Sequence, residues 1–472
     1  MTLAVSRDAL AAGASPVDAS RVPGLADVAR AGAGPSAGTR ADGLSWFGII
    51  RLGLVQTALG AIVVLTTSTL NRIMVVELQL AALVPGFLVT LHYALQALRP
   101  RWGYGSDRGG RRTRWILAGM AILAAGATLA AVSTALMAVS PVAGVALAAL
   151  AFAMVGIGVG AAGTSLLVLL ADEVAEPRRA GAATTVWLMM IAGFVVTSIV
   201  AGALLKPFSF ERLVLVVGGV CVAALVLATL AIVGVETGRR REPDTRAGGF
   251  LATLARVWAE PQARAFTIFI FFSMLAYSTQ DLILEPYAGL VFGMSPGDST
   301  MLGGAQHGGV FAGMVVVPLL CLLLRRTAAE AFRSFTIFGC LASGAALVAI
   351  ALGASVGPAY PLAAAVFALG FFNGVFAVAA IAAMMSFARE DGAADAGTRM
   401  GVWGAAQAFG FGIGNIAGAG GVDLARGFVA ADAAAYQTVF IAEAGIFLAA
   451  ALLAWRAAPA RFRNPSYREV TA

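Results

Sequence analysis

The chain has 472 residues, of which 60% are hydrophobic and 12% charged, about half the charged fraction of ordinary soluble domains. That composition excludes a soluble globular protein, and apolar runs of about 20 residues without strand-like alternation exclude a transmembrane β-barrel as well. The net charge of +7 would suit a nucleic-acid partner in a soluble protein, but here the basic residues flank apolar spans and report topology, so no nucleic-acid partner is expected.

Residues 1–45 are rich in Ala, Gly, Ser and Pro and have no apolar core before Trp46, which predicts a disordered cytoplasmic tail and no secretion signal. Spans then follow at 47–70, 79–98, 115–137, 142–170, 181–205 and 212–235, an N-terminal six-helix bundle over residues 46–235. Residues 236–264 carry six arginines and read as a cytoplasmic linker. A C-terminal six-helix bundle over 265–456 contains spans at 265–292, 300–324, 333–353, 358–387, 399–422 and 436–455, and residues 457–472 form a second cytoplasmic tail. The expected fold is an all-α membrane protein with twelve transmembrane helices in two pseudo-symmetric six-helix halves.

The basic residues support this count. With twelve spans, 28 of the 32 fall on one side, leaving Arg72, Lys206, Arg212 and Arg426 on the other, so both termini are expected in the cytoplasm. Cys221, Cys321 and Cys340 all lie in apolar runs without metal-ligand spacing, and neither a disulfide framework nor a metal site is expected.

Related sequence recurs at nearly constant offset, the mark of a duplicated unit. AGAATTVW at Ala180–Trp187 matches AGTRMGVW at Ala396–Trp403 at four of eight positions, 216 residues apart. His92 in the second span and His307 in the eighth are the two histidines, 215 apart. Asn71, Arg72 and Glu77 at the end of the first span are echoed by Gln280, Asp281 and Glu285 in the seventh.

Between spans two and three, GYGSDRGGRRTRW at Gly103–Trp115 resembles the signature loop of the major facilitator superfamily, G-x-x-x-D-R-x-G-R-R. The resemblance implies that Asp107 approaches the start of helix eleven, that Arg108, Arg111 and Arg112 join its charge network, and that Gly103 and Gly110 permit the turn. STLNRIMVVEL at Ser68–Leu78, LHYALQALRPRWGYGSD at Leu91–Asp107 and STQDLILEPYAGLVFGMS at Ser278–Ser295 resemble the bacteriochlorophyll delivery branch of that superfamily, the PucC and LhaA light-harvesting assembly proteins of phototrophic bacteria. That resemblance covers roughly residues 46–456. It implies a bacterial inner, photosynthetic membrane and an assembly factor for antenna complexes, with light-harvesting polypeptides and bacteriochlorophyll as partners and the pigment as cargo, not permanent cofactor.

Ionisable residues inside a span are costly and mark functional candidates. Asp281 and Glu285, four apart, are expected on one face of helix seven, with Pro286 kinking or ending it. Rises from Arg51 to Arg72 and from Arg264 to Asp281 place both polar clusters about 25 to 32 Å from the cytoplasmic side. An interdomain lock at the periplasmic mouth is therefore expected, with Arg72 paired to Asp281 or Glu285; a static ion pair is the plainer alternative. His92 and His307 are candidate axial ligands for pigment magnesium, with Gly303, Gly304, Gly308 and Gly309 leaving room for a macrocycle; interhelical hydrogen bonding is the alternative. Glu443 in the usually peripheral twelfth helix is expected to be structural or at the lipid interface. Asp172-Glu173 lacks neighbouring His or Cys, and without a Ser-His-Asp order, metal-ligand cluster or phosphate loop no enzyme is expected. Two other functions fit the residues: a proton- or cation-coupled small-solute transporter using Asp281 or Glu285, and a scaffold that binds antenna helices without moving pigment.

Overall fold

A computed structural model describes residues 43–96, 111–175, 178–236, 258–324, 328–387 and 396–457. The tails, most of the linker, and Gly103, Asp107, Arg108 and Gly110 of the signature loop lie outside the described residues. The helices are α1 Trp46–Glu77, α2 Leu83–Gln96, α3 Arg112–Met137, α4 Pro141–Glu173, α5 Arg179–Leu204, α6 Phe210–Ile232, α7 Pro261–Phe292, α8 Pro296–Leu323, α9 Ala328–Val356, α10 Leu362–Phe387, α11 Ala396–Arg426 and α12 Asp432–Ala457. Among the described residues ten helices are long and apolar enough to cross a membrane; α2, with 14 residues, is shorter, and α11 falls outside the ten. The chain is a multi-span, all-helical membrane protein.

Local chemistry sets the helix starts. The hydroxyls of Ser45, Ser209 and Ser295 accept hydrogen bonds from the N–H groups of Gly48, Arg212 and Asp298, and Pro141, Pro261 and Pro296 occupy first-turn positions where a missing N–H costs nothing.

The packing repeats with a period of six helices. In α1–α6 the pairs are α1 with α5 and α6, α3 with α4 and α6, and α2 with α4; in α7–α12 they are α7 with α11 and α12, α9 with α10 and α12, and α8 with α10. The two groups meet through α2 on α11 and α5 on α8, again related by six. One apolar core draws on residues 44–235 together with Leu282, and a second on residues 266–454. Glycines set the closest approaches: a Cβ at Gly309 or Gly374 would lie 2.1 Å from the Phe367 carbonyl oxygen or 2.2 Å from that of Val310, so α8 and α10 touch backbone to backbone.

Two helices depart from the expected course. Helix α1 runs beyond residue 70 to Glu77 through two π-helical turns, Leu65–Thr69 and Ile73–Glu77. Helix α7 is interrupted after Thr279 and resumes at Leu284. The interruption precedes Pro286, which sits in the first turn of the resumed segment, so the proline starts a helix instead of ending one.

At the arginine-rich end, Glu236 caps α3. Its carboxylate accepts from the N–H of Arg112 at 2.8 Å and from the N–H and hydroxyl of Thr113 at 3.0 and 2.7 Å. Burial would push the Glu236 carboxyl up, but these hydrogen bonds and the nearby Arg111 charge prevail and hold it below its ordinary value. Arg112 also pairs with Asp172 of α4 at 2.8 Å, which gives that acid a structural partner.

Candidate functional site

The interruption of α7 faces the distorted end of α1, and the polar residues of both helices meet there. An uninterrupted helix would bond the Leu282 carbonyl to the N–H of residue 286, but residue 286 is proline and has none. Asn71 of α1 supplies the missing donor, its Nδ2 lying 2.6 Å from the Leu282 oxygen. One turn on, the Ser68 hydroxyl donates to Glu285 Oε1 at 2.5 Å, and Thr69 and Thr300 hydroxyls lie 3.2 Å apart. Asn71 and Glu285 are both buried, so these bonds replace water that cannot reach the groups.

The hydrogen bonds of Arg72 go to neither Asp281 nor Glu285, although its charge acts on Glu285. Arg72, 2% exposed, puts Nη1 2.5 Å from Glu77 Oε1 and donates from Nη2 to the Met294 carbonyl at 2.7 Å. It thus still ties α1 to the end of α7, but through main chain just past Gly293, whose φ of 67° is the left-handed turn closing that segment. Nor do Asp281 and Glu285 share one face and one partner: the interruption separates them, Glu285 reaching Ser68 while Asp281 stays in the intervening turn. Gln280 is wholly buried with neither amide atom hydrogen-bonded. Glu443 is not at the lipid interface; it is fully buried inside the α7–α12 core.

Sequence reasoning passed over Ser68 as a partner and missed Asp423. The Asp423 carboxylate of α11 accepts from the N–H groups of Ala82 and Leu83 at 3.1 and 2.7 Å, capping α2 from the other half, and it also pairs with Arg426 at 3.2 Å. At the equivalent α5–α8 contact, Lys206 pairs with Asp298. The signal was present in the isolated Arg426 and Lys206, the sparse basic residues of that end, each needing an acid nearby.

The two histidines have different surroundings, and the structure does not bring them together. His92 is 1% exposed, with Nε2 2.9 Å from Gln96 Nε2 and the backbone of α4 close against it at Gly156. His307 is half-buried; its Nδ1 bonds the Gly303 carbonyl at 2.8 Å, and its ring stands edge-on to Phe194 of α5 at 4.9 Å. With Nδ1 so used, Nε2 is the nitrogen left to serve as a ligand. The expected room at the flanking glycines is not there, because Gly303 abuts Glu285, Gly304 abuts α5 and Gly309 abuts α10; Gly308 has its nearest neighbour at 4.0 Å. Glycine here buys helix contact.

The sequence profile of the family described as PUCC protein matches residues 69–461. A Rhodobacter capsulatus protein named "Bacteriochlorophyll synthase 44.5 kDa chain" is 52% identical over 422 residues, spanning 89% of this chain and 97% of that one. Protein PucC of Cereibacter sphaeroides is 29% identical over 405 residues, spanning 82% and 85%. Among solved structures, a D-xylose-proton symporter aligns with a TM-score of 0.69 at 14% identity over 87% of this chain and 97% of that one, a likeness of fold that places the chain among major facilitator architectures.

Proposed function

The chain belongs to the PUCC protein family, and from that membership we propose that it is an assembly factor for photosynthetic light-harvesting antenna complexes, delivering bacteriochlorophyll or shielding antenna polypeptides. The observation that carries this is the family match over residues 69–461, joined by a relative whose printed name refers to bacteriochlorophyll. In this reading the protein lies in the bacterial inner membrane with both termini cytoplasmic, has antenna polypeptides as partners, and carries out no enzymatic step of its own. The six-helix units α1–α6 and α7–α12 act as separate bodies, and the α1–α7 contact is the lock between them at the arginine-poor end.

Bacteriochlorophyll enters as cargo. The residue that fits it best is His307, whose Nδ1 is held by the Gly303 carbonyl and whose ring sits beside Phe194 at the α5–α8 contact between halves. An imidazole so oriented is a suitable neutral ligand for magnesium. Purification in mild detergent, with pigment absorbance recorded and small co-purifying polypeptides identified, tests the proposal. Pigment or antenna polypeptide at stoichiometric yield supports it; a pigment-free protein without such polypeptides opposes it.

A second reading, a proton- or cation-coupled transporter of a small solute, is favoured by one observation: Glu285, 3% exposed, lies at the contact between halves with Oε2 unbonded. Uptake of a soluble nutrient that disappears in Glu285→Gln would support it over the first.

A further inference from the structure

In the core of α7–α12, Glu443 of α12 is fully buried, and neither of its carboxylate oxygens has a hydrogen-bond partner. Its depth is fixed from both sides. One turn earlier, Phe440 meets the Tyr287 ring at 5.1 Å; one turn later, Phe447 meets Phe376 at 5.7 Å, and Phe376 reaches Tyr277 at 6.4 Å. Glu443 therefore lies level with the interruption of α7 between Tyr277 and Tyr287, the stretch that contains Asp281.

A second observation points into the same place. Helix α9 approaches α12 at Gly344, where a Cβ would lie 3.3 Å from the Ala444 carbonyl oxygen, which brings the adjacent Ser343 level with Glu443. The Ser343 hydroxyl donates to Asn373 Oδ1 of α10 at 2.8 Å, leaving Asn373 Nδ2, wholly buried, without an acceptor. Buried donors and acceptors at one depth, each without a protein hydrogen-bond partner, mark a polar site inside an apolar core.

The surroundings decide the charge this site can carry. Helix α7 offers Asp281, Tyr277 and Tyr287, α9 offers Cys340, and α12 itself Tyr436; the charged residues Asp423 and Arg426 of α11 lie toward the arginine-poor end. No arginine or lysine is described in the stretches of α7, α9 and α10 that face Glu443. Two neighbouring carboxyl groups in apolar surroundings do not both stay ionised without a compensating charge.

We propose that Glu443 and Asp281 form a one-proton site, with the proton bound on Glu443 and passed to the half-buried Asp281. Transfer breaks an O–H bond on Glu443 and forms one on Asp281, so the pair keeps a net charge of −1. Asp281 adjoins Leu282, whose carbonyl is held by Asn71, so the position of the proton changes the charge beside the bond that joins the halves. The site stands apart from the pigment proposal and is tested separately.

Infrared difference spectroscopy on the purified full-length protein, with pH steps in H2O and D2O, reads the site directly. The wild type should show a protonated-carboxyl band at neutral pH that shifts in D2O. Glu443→Gln should remove that component, and Asp281→Asn should shift its frequency without abolishing it. If Glu443→Gln folds poorly, the Asp281→Asn shift still decides, because Glu443 is then intact. A Glu443→Gln spectrum identical to wild type, or a band that Asp281→Asn does not move, would overturn the proposal.

Discussion

Asn71 and Leu282 are joined by a 2.6 Å hydrogen bond from side chain to main chain, and the carbonyl is free to accept it because Pro286, four residues on, has no N–H to offer. Asn71→Ala should leave that carbonyl unpaired and cost about 1 to 3 kcal/mol in detergent unfolding. In a Pro286→Ala background an N–H is restored within reach of Leu282, so the same Asn71→Ala change should cost less. Equal costs in the two backgrounds would show that proline and asparagine are not linked.

Arg72→Ala removes a buried cation from Glu77, itself 33% exposed, and from the Met294 carbonyl. The expected loss is up to about 3 kcal/mol, at the low end for a buried pair because water reaches Glu77. Adding Glu77→Gln should recover part of it, whereas Arg72→Ala and Asp281→Asn should add independently. A double-mutant cycle on unfolding free energies separates the two cases.

The overall course of the helices was legible in the sequence, because the bilayer demands long apolar runs and the arginines mark every second loop. Polar pairings were not. Asp281 and Glu285 share a face only on a continuous helix, and the interruption at 280–283 leaves one in the turn and sends the other to Ser68. The glycines around His307 misled for a related reason: glycine marks open space and closest contact alike, and here a Cβ at Gly309 would collide with the Phe367 carbonyl. Glu443 looked solitary because the stretch of α7 at its depth, between Tyr277 and Tyr287, lies far away in sequence.

The α8–α10 seam gives a packing prediction. Gly309→Ala and Gly374→Ala place a methyl group 2.1 or 2.2 Å from a carbonyl oxygen, so the helices must separate and the unfolding temperature should fall sharply. Gly219→Ala on α6, where no atom lies within 4 Å, should leave it unchanged or raise it slightly.

Glu236 confers a pH dependence whose sign follows from its cap on α3. Its folded carboxyl is held below the ordinary value of 4.5, so its contribution is present above that value and lost as pH falls through the lower, folded one. Glu236→Gln should therefore lower stability by about 1 kcal/mol at neutral pH and flatten the acid limb of the unfolding profile. An acid limb identical to wild type would mean that the cap does not titrate there.

His307→Leu should remove pigment from the purified protein without lowering its amount in the membrane, and His307→Gly with added imidazole should restore it. His92→Leu should have a smaller effect on pigment, since His92 is enclosed beside Gln96 and α4. Full pigment content in the double Leu variant would assign both histidines to helix packing.

The most direct test of the assembly role is deletion of the gene in a phototroph that carries it, with antenna absorbance per cell measured against total extractable bacteriochlorophyll. The account predicts less assembled antenna while synthesis of the free pigment continues, with recovery on complementation by the wild-type gene. Unchanged antenna absorbance, together with lost uptake of a soluble nutrient, would contradict it.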